Sequence, residues 1–179
     1  MNSWIVLLRG INVGGKNIVP MKQLADMLIG LGCKNVQTYI QSGNMLLQHA
    51  ESNGQVLSKQ IANGMLQTFG FQPHILLLTL TQFEQAVANN PFVVAQPEPK
   101  TLHVFFLAEP TSLTNLDALT ALKNETESFS LIEQIFYLHA PEGIGRSKLA
   151  AKVEKILDVP TTARNWNTVS KLLTLANRN

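Results

Sequence analysis

The chain has almost no cysteine. Cys33 is the only one in 179 residues, which excludes an internal disulfide and a cysteine-based zinc site. Charge is also sparse. Asp, Glu, Lys and Arg make up 15% of the sequence against 45% apolar residues, a balance that excludes a disordered chain. No apolar run approaches the roughly 18–20 residues that span a bilayer. The opening stretch from Met1 to Arg9 is too short for a signal-peptide core and lacks a basic lead. It reads as a first strand, and the cytoplasm is the expected compartment. Aromatic residues are few, and no signature of a nucleic-acid recognition module stands out. Gly-x-Ser-x-Gly is absent, and paired catalytic carboxylates are not apparent. His49, His74, His103 and His139 show no metal-ligand spacing. Neither a metal nor a cofactor is expected.

What charge there is lies unevenly. Residues 1–139 carry seven Lys/Arg against nine Asp/Glu, a net of −2, whereas residues 140–179 carry seven against three, a net of +4. The basic tail segment is suited to an anionic partner, although many basic surfaces only solubilise.

Periodicity supplies the elements. Trp4 to Arg9 is a buried strand ending at Gly10, and a loop runs from Ile11 to Val19. Pro20 suits a helix's first turn. Met21, Leu24, Met27, Leu28 and Leu31 then share one helical face, closed by Gly32. Val36–Gln41 and Met45–His49 read as strands around Ser42-Gly43-Asn44. Leu57, Ile61, Met65 and Phe69 mark a second helix, ended by Gly70, and His74–Leu80 is another strand. The order β-α-β-β-α-β over residues 1–80 is the ferredoxin-like arrangement. Residues 81–179 form a second α+β subdomain. After a helix at 81–89 and a proline-rich loop at 96–99, a strand is expected at His103–Leu107. A helix follows on Leu113, Leu116, Leu119 and Leu122, then a hairpin around Glu133-Gln134. Amphipathic helices at Ser147–Leu157 and Trp166–Ala176 complete it, and the sheet is expected to be small and mixed. The fold class is α+β, in two subdomains. No repeat of fixed period is present.

Four segments have chemistry to offer. Arg9-Gly10-Ile11-Asn12-Val13-Gly14-Gly15-Lys16-Asn17 follows a strand and lies one residue from a phosphate-binding P-loop, with Asn17 where Ser or Thr ligates magnesium. The helix also begins late, at Pro20. The segment therefore reads as a general anion-holding loop or as glycines serving a tight turn. The segment from Tyr137 and His139 through Gly143, Gly145, Arg146, Ser147 and Lys148 takes a strand through two glycines into a helix capped by Ser147. Free N–H groups and the positive dipole end there suit phosphate; the alternative is an ordinary capped helix with a solvated lysine face. Arg164-Asn165-Trp166-Asn167 offers a planar cation, amides and an aromatic face, or a helix cap beside a packed Trp166. Gln41, Ser42 and Asn44 cluster polar groups at a strand end. His103, in an apolar strand, reads as a core histidine.

At these motifs the chain resembles the bacterial domain of unknown function 1697 family. The matching stretches are Leu8 to Asn17, Tyr39 to Asn44, His139 through Leu149, and Thr162 to Thr168. The resemblance implies a bacterial cytosolic protein of two small α+β subdomains, the first ferredoxin-like, and supplies no catalytic residues.

The expectation from the residues is a binding protein for a phosphate-bearing ligand, a nucleotide or a nucleic acid. It rests on Arg9, Asn12, Lys16, Asn17, Gln41, Ser42, Asn44, His139, Gly143, Gly145, Arg146, Ser147, Lys148, Arg164, Asn165 and Asn167. An enzyme acting on a phosphorylated metabolite, with His139 or Tyr137 as acid/base, is one alternative. A protein-interaction module without a small ligand is another. No membrane partner is expected, and the oligomeric state is left open.

Overall fold

The computed structural model describes residues 1–111 and 116–178. They form two compact units. One comprises Met1–Gln85 with Leu172–Asn179, the other Ala86–Lys171.

The first unit runs β1 (Asn2–Arg9), α1 (Met21–Gly30), β2 (Lys34–Tyr39), β3 (Asn44–His49), α2 (Gly54–Phe69), β4 (His74–Thr79) and the start of α3 (Leu80–Ala88). Its sheet has the order β2-β3-β1-β4, with every neighbouring pair antiparallel. This is the expected ferredoxin-like path. The apolar run Trp4–Leu8 is fully buried because β1 is a central strand with both faces covered. Leu24 and Leu28 of α1 and Leu57, Ile61 and Met65 of α2 pack with Trp4, Val6, Leu8, Met45 and Leu47 into one core. Each such side chain stabilises the fold by about 1.5–3 kcal/mol through burial. The helix ends follow from local chemistry. Asn53 caps α2 by accepting from the Gln55 and Val56 amides at 2.9 and 3.3 Å, and Gly70 closes it with φ of +79°. Thr79 and Gln82 cap α3 reciprocally. The Gln82 amide donates to Thr79 Oγ1 at 3.2 Å, and the Thr79 amide donates to Gln82 Oε1 at 2.9 Å.

The second unit contains β5 (Leu102–Leu107), α4 (Leu116–Leu122), β6 (Ser128–Ile132), β7 (Ile135–His139), α5 (Val153–Leu157), β8 (Thr161–Asn165) and the start of α6 (Trp166–Ala176). Its order is β6-β7-β5-β8, and all its neighbours are antiparallel, with no parallel pair among the described residues. Renumbered by four strands, that is the order of the first sheet. Each unit is a β-α-β-β-α-β path followed by a helix. Phe105, Leu107, Leu119, Phe136, Leu138, Leu149, Val153 and Leu157 form its core. The Phe136 ring stacks on Phe129 at 5.3 Å and meets Phe105 edge-on at 5.5 Å.

The expected helix from Ser147 to Leu157 is shorter. Only Val153–Leu157 is α-helical; Ile144–Arg146 is a 3₁₀ turn, Ser147 is extended, and residues 148–152 are turns. The Lys152 amide bonds to Leu149 O at 3.0 Å, three residues back rather than four, which tightens the chain there. Leu149 and Val153 both still reach the core, so the side-chain pattern survives a break in the backbone. Of the expected α4 face, Leu113 lies outside the described residues.

Candidate functional site

In the first unit the expected residues do gather, because β1 ends where β3 begins. The loop after β1 and the β2–β3 turn therefore share one end of the sheet. Asn12, at φ +53°, ties them together. Its Nδ2 donates to Val19 O at 3.0 Å and to Gln41 O at 2.9 Å, and its Oδ1 accepts from the Val19 amide at 2.8 Å. Asn17 Nδ2 donates to Gly10 O at 2.9 Å. Asn44 is fully buried, and its Nδ2 donates to Ser42 Oγ at 2.7 Å and Tyr39 O at 3.3 Å. These side-chain amides bond to backbone carbonyls and to the Ser42 hydroxyl. The resemblance to a P-loop ends here too. Gly14 and Gly15 have φ of +60° and +73°, and the Lys16 amide donates back to Val13 O at 3.0 Å. Positive φ at both central residues is a type I′ hairpin tip, not a ring of amides converging on phosphate. Arg9 and Lys16 stand exposed on this framework.

In the second unit the expected residues divide. β5 is antiparallel to both β7 and β8, so the end of β7, the start of β5 and the end of β8 lie together. His139 pairs with Leu102, and Asn165 with His103. A hollow of about 310 Å³ opens here, lined by Glu98, Lys100, Thr101, His139 and Pro141. Asn165 Nδ2 donates to Lys100 O at 2.9 Å and fixes the backbone beneath that lysine. Asn165 Oδ1 accepts from the Asn167 amide at 3.0 Å, capping α6. The Phe92 ring lies 6.3 Å from the His139 ring. Lys100 Nζ pairs with Glu98 at 2.7 Å, with both side chains largely exposed. The pair holds the Glu98 carboxyl below its ordinary value and the Lys100 ammonium above it, chiefly through their mutual hydrogen bond.

The glycine loop after β7 differs from the expected anion cradle. Its Gly143, Arg146 and Ser147 amides donate inward, to Ala140 O, Gly143 O and Ile144 O at 3.0, 3.3 and 3.1 Å. Ser147 is buried, and its Oγ accepts from the Ala150 amide at 2.9 Å. It caps a turn, and no regular helix follows directly, so no helix dipole points at Gly145. Arg146 and Lys148 are exposed. Only Pro141 of this loop lines the hollow.

Three titratable groups sit inside the second unit. Arg164 alternates with Asn165 along β8, so it faces the other side of the sheet. Its Nη1 donates to Ala163 O at 2.8 Å, and burial pulls its guanidinium down to about 10. Tyr137 is fully buried, its hydroxyl donates to Ala86 O at 2.7 Å, and burial pushes its phenol up to about 12. His103 is buried as expected. Its pKa is lowered, by burial first, against a raising hydrogen bond to the Lys100 backbone. Its Nε2 has no hydrogen-bond partner among the described residues.

Glu98, Lys100 and Thr101 were not among the expected site residues. They lie in or beside the proline-rich stretch that reads as linker, and the signal available was a lysine two residues before β5. Among the described residues, no group of three His, Cys, Asp or Glu is placed to hold a metal ion, and no helix is long and apolar enough to cross a membrane.

A family model described as a protein of unknown function (DUF1697) matches residues 1–137. The match takes in the loop after β1 and the β2–β3 turn and stops before His139. Among solved structures, the conserved bacterial protein SP0830 from Streptococcus pneumoniae is similar, with a TM-score of 0.73 and 25% sequence identity over 97% of this chain and 98% of that one. No curated protein matches.

Proposed function

The chain belongs to the DUF1697 family of proteins of unknown function, and we propose that it binds a phosphate-bearing ligand of nucleotide size at the hollow beside His139. The observation that carries this is the meeting of Lys100, Thr101 and His139 around about 310 Å³, the lower end of the roughly 300–1,000 Å³ of small-molecule sites. An incoming phosphate takes the place of the Glu98 carboxylate on Lys100. An exposed ion pair of this kind is screened by solvent and opens readily. Phe92 and His139 supply rings against which a base or sugar can rest. A cytoplasmic setting belongs to the same proposal, in keeping with a single, reduced and buried cysteine.

Calorimetric titration with nucleoside mono-, di- and triphosphates and with phosphosugars tests it. Lys100→Ala is expected to weaken binding by about 1.5–3 kcal/mol, the range of a hydrogen bond to a charged group. Glu98→Gln is expected to tighten it, because the competing carboxylate is gone. If neither substitution changes the affinity of whatever binds, the hollow is not the site. A nucleic-acid reading draws on the exposed Lys148, Lys152 and Lys155. It predicts instead an affinity that falls steeply with salt and is insensitive to Glu98→Gln.

A further inference from the structure

We propose that β4 pairs edge to edge with β4 of a second copy of the chain, joining two first units into one eight-stranded antiparallel sheet. Alternate residues of β4 turn their backbone groups toward β1 or away from it. The Leu8 amide donates to Gly43 O, on the β3 side of β1. In an antiparallel ladder, alternate residues bond to alternate sides. Leu7 and Ile5 therefore bond toward β4, and their partners there, Leu76 and Leu78, point inward. Ile75, Leu77 and Thr79 point outward. Thr79 confirms the parity, since its amide is taken by Gln82 Oε1 rather than by β1. The outward N–H and C=O groups of Ile75 and Leu77 have no partner among the described residues.

Such an edge invites pairing unless it is guarded by charge, proline or a bulge. The other three edge strands are guarded. β2 carries Lys34 and a register break between Lys34 and Gln37. β8 carries Arg164, and β6 is bracketed by Glu127 and Glu133, which self-pairing would set against each other. β4, His-Ile-Leu-Leu-Leu-Thr, has no charge, no proline and an unbroken register of six pairs with β1, and all six of its residues are half-buried.

The occupant is a second copy because β4 is complementary to itself. A twofold axis through Leu76 sets Ile75 opposite the partner subunit's Leu77, and Leu77 opposite the partner subunit's Ile75. Both are outward-facing pairs, so four backbone hydrogen bonds form. His74 falls opposite the partner subunit's Leu78, and no like charges meet. Leu76 meets its own copy at the axis, on the sheet face opposite the α1–α2 core.

Sedimentation equilibrium on the whole chain, from micromolar to about millimolar protein, reads the mass directly. The expected result is a concentration-dependent shift from 19.7 kDa to twice that value. Leu76→Lys and Leu76→Glu should each sediment as monomer, since like charges meet at the axis, and an equimolar mixture of the two should regain the dimer. Circular dichroism checks that both variants are folded. If either is not, hydrogen exchange on the unaltered protein decides. The Ile75 and Leu77 amides should become protected as concentration rises, while Lys34 and Arg164 should not change. A mass of 19.7 kDa at every concentration, or a dimer whose added protection lies away from β4, overturns the proposal.

Discussion

In the first unit the two helices between strands run for 10 and 16 residues; their counterparts in the second run, among the described residues, for 7 and 5. The strand order is the same in both. A sheet of given topology therefore constrains where its covering helices lie far more than how long they are. The polar loops differ as well. In the first unit they gather where β1 ends. In the second the hollow lies where β5, the equivalent strand, begins. One path thus gathers polar groups at opposite ends of its sheet in its two occurrences, a difference set by side chains rather than topology.

The glycines offer the largest test of that difference. Gly43 has φ of +75°, and a Cβ added there would lie 2.6 Å from Leu8 Cβ. Gly43→Ala is expected to destabilise the chain by about 2–4 kcal/mol, combining backbone strain with overpacking. Gly145 has nothing within 4 Å of such a Cβ and no positive φ, so Gly145→Ala should stay within about 0.5 kcal/mol. Denaturant melts of the two variants compare them directly. Equal losses would show that the loop of the second unit is as tightly built as the turn of the first.

The same contrast decides what the sequence revealed. α2 was legible because Leu57, Ile61, Met65 and Phe69 recur at helical spacing ahead of a closing glycine. The Glu133-Gln134 hairpin was legible because the two residues lie between apolar strands, and Glu133 adopts φ +53° to make the turn. α5 was read too long, since Leu149, Val153 and Leu157 keep their spacing across a backbone that tightens at Lys152. The duplicated path was legible only in part, since strand, helix, hairpin and helix were read in the second unit but β8 (Thr161–Asn165) was not. Topology repeats here without any repeat of residues, and periodicity detects only the latter. Of the residues lining the hollow, His139 was singled out by its place beside a glycine loop. Lys100 was missed because its partners, Glu98 and the backbone held by Asn165, come from a linker and from a strand 65 residues away.

A buried histidine gives the next test. Burial disfavours the His103 imidazolium, so the folded chain binds that proton more weakly than the unfolded chain, where histidine titrates near 6.5. Below that value the unfolded state carries more protons than the folded one. Stability from this group is fully present above pH 6.5 and is lost as the pH falls through the lowered folded value. One proton gives a slope no steeper than about 1.4 kcal/mol per pH unit. Chemical denaturation between pH 7.5 and 5 should show this slope in the second unit, and His103→Gln should flatten it. A slope unchanged in the variant would assign the effect to another group.

Ser147 and Arg146 are neighbours whose substitutions should separate architecture from surface, at the smallest expected effects. Ser147 is buried, and its hydroxyl oxygen accepts the Ala150 amide at 2.9 Å. Ser147→Ala leaves that donor without its acceptor, and the expected loss is about 0.5–2 kcal/mol, as for other caps. Arg146 is exposed, and the 3₁₀ turn around it is held by backbone bonds that do not involve its guanidinium. Arg146→Ala should therefore change stability by less than about 0.5 kcal/mol. If the glycine loop still reaches a bound phosphate despite its inward-turned amides, the same variant should weaken ligand binding by about 1.5–3 kcal/mol while melting normally, since only the side chain remains to make a charge-assisted contact. Normal binding with an early melt would make Arg146 as structural as Ser147. Normal binding with a normal melt would confine the phosphate to Lys100 and His139 and leave this loop as architecture.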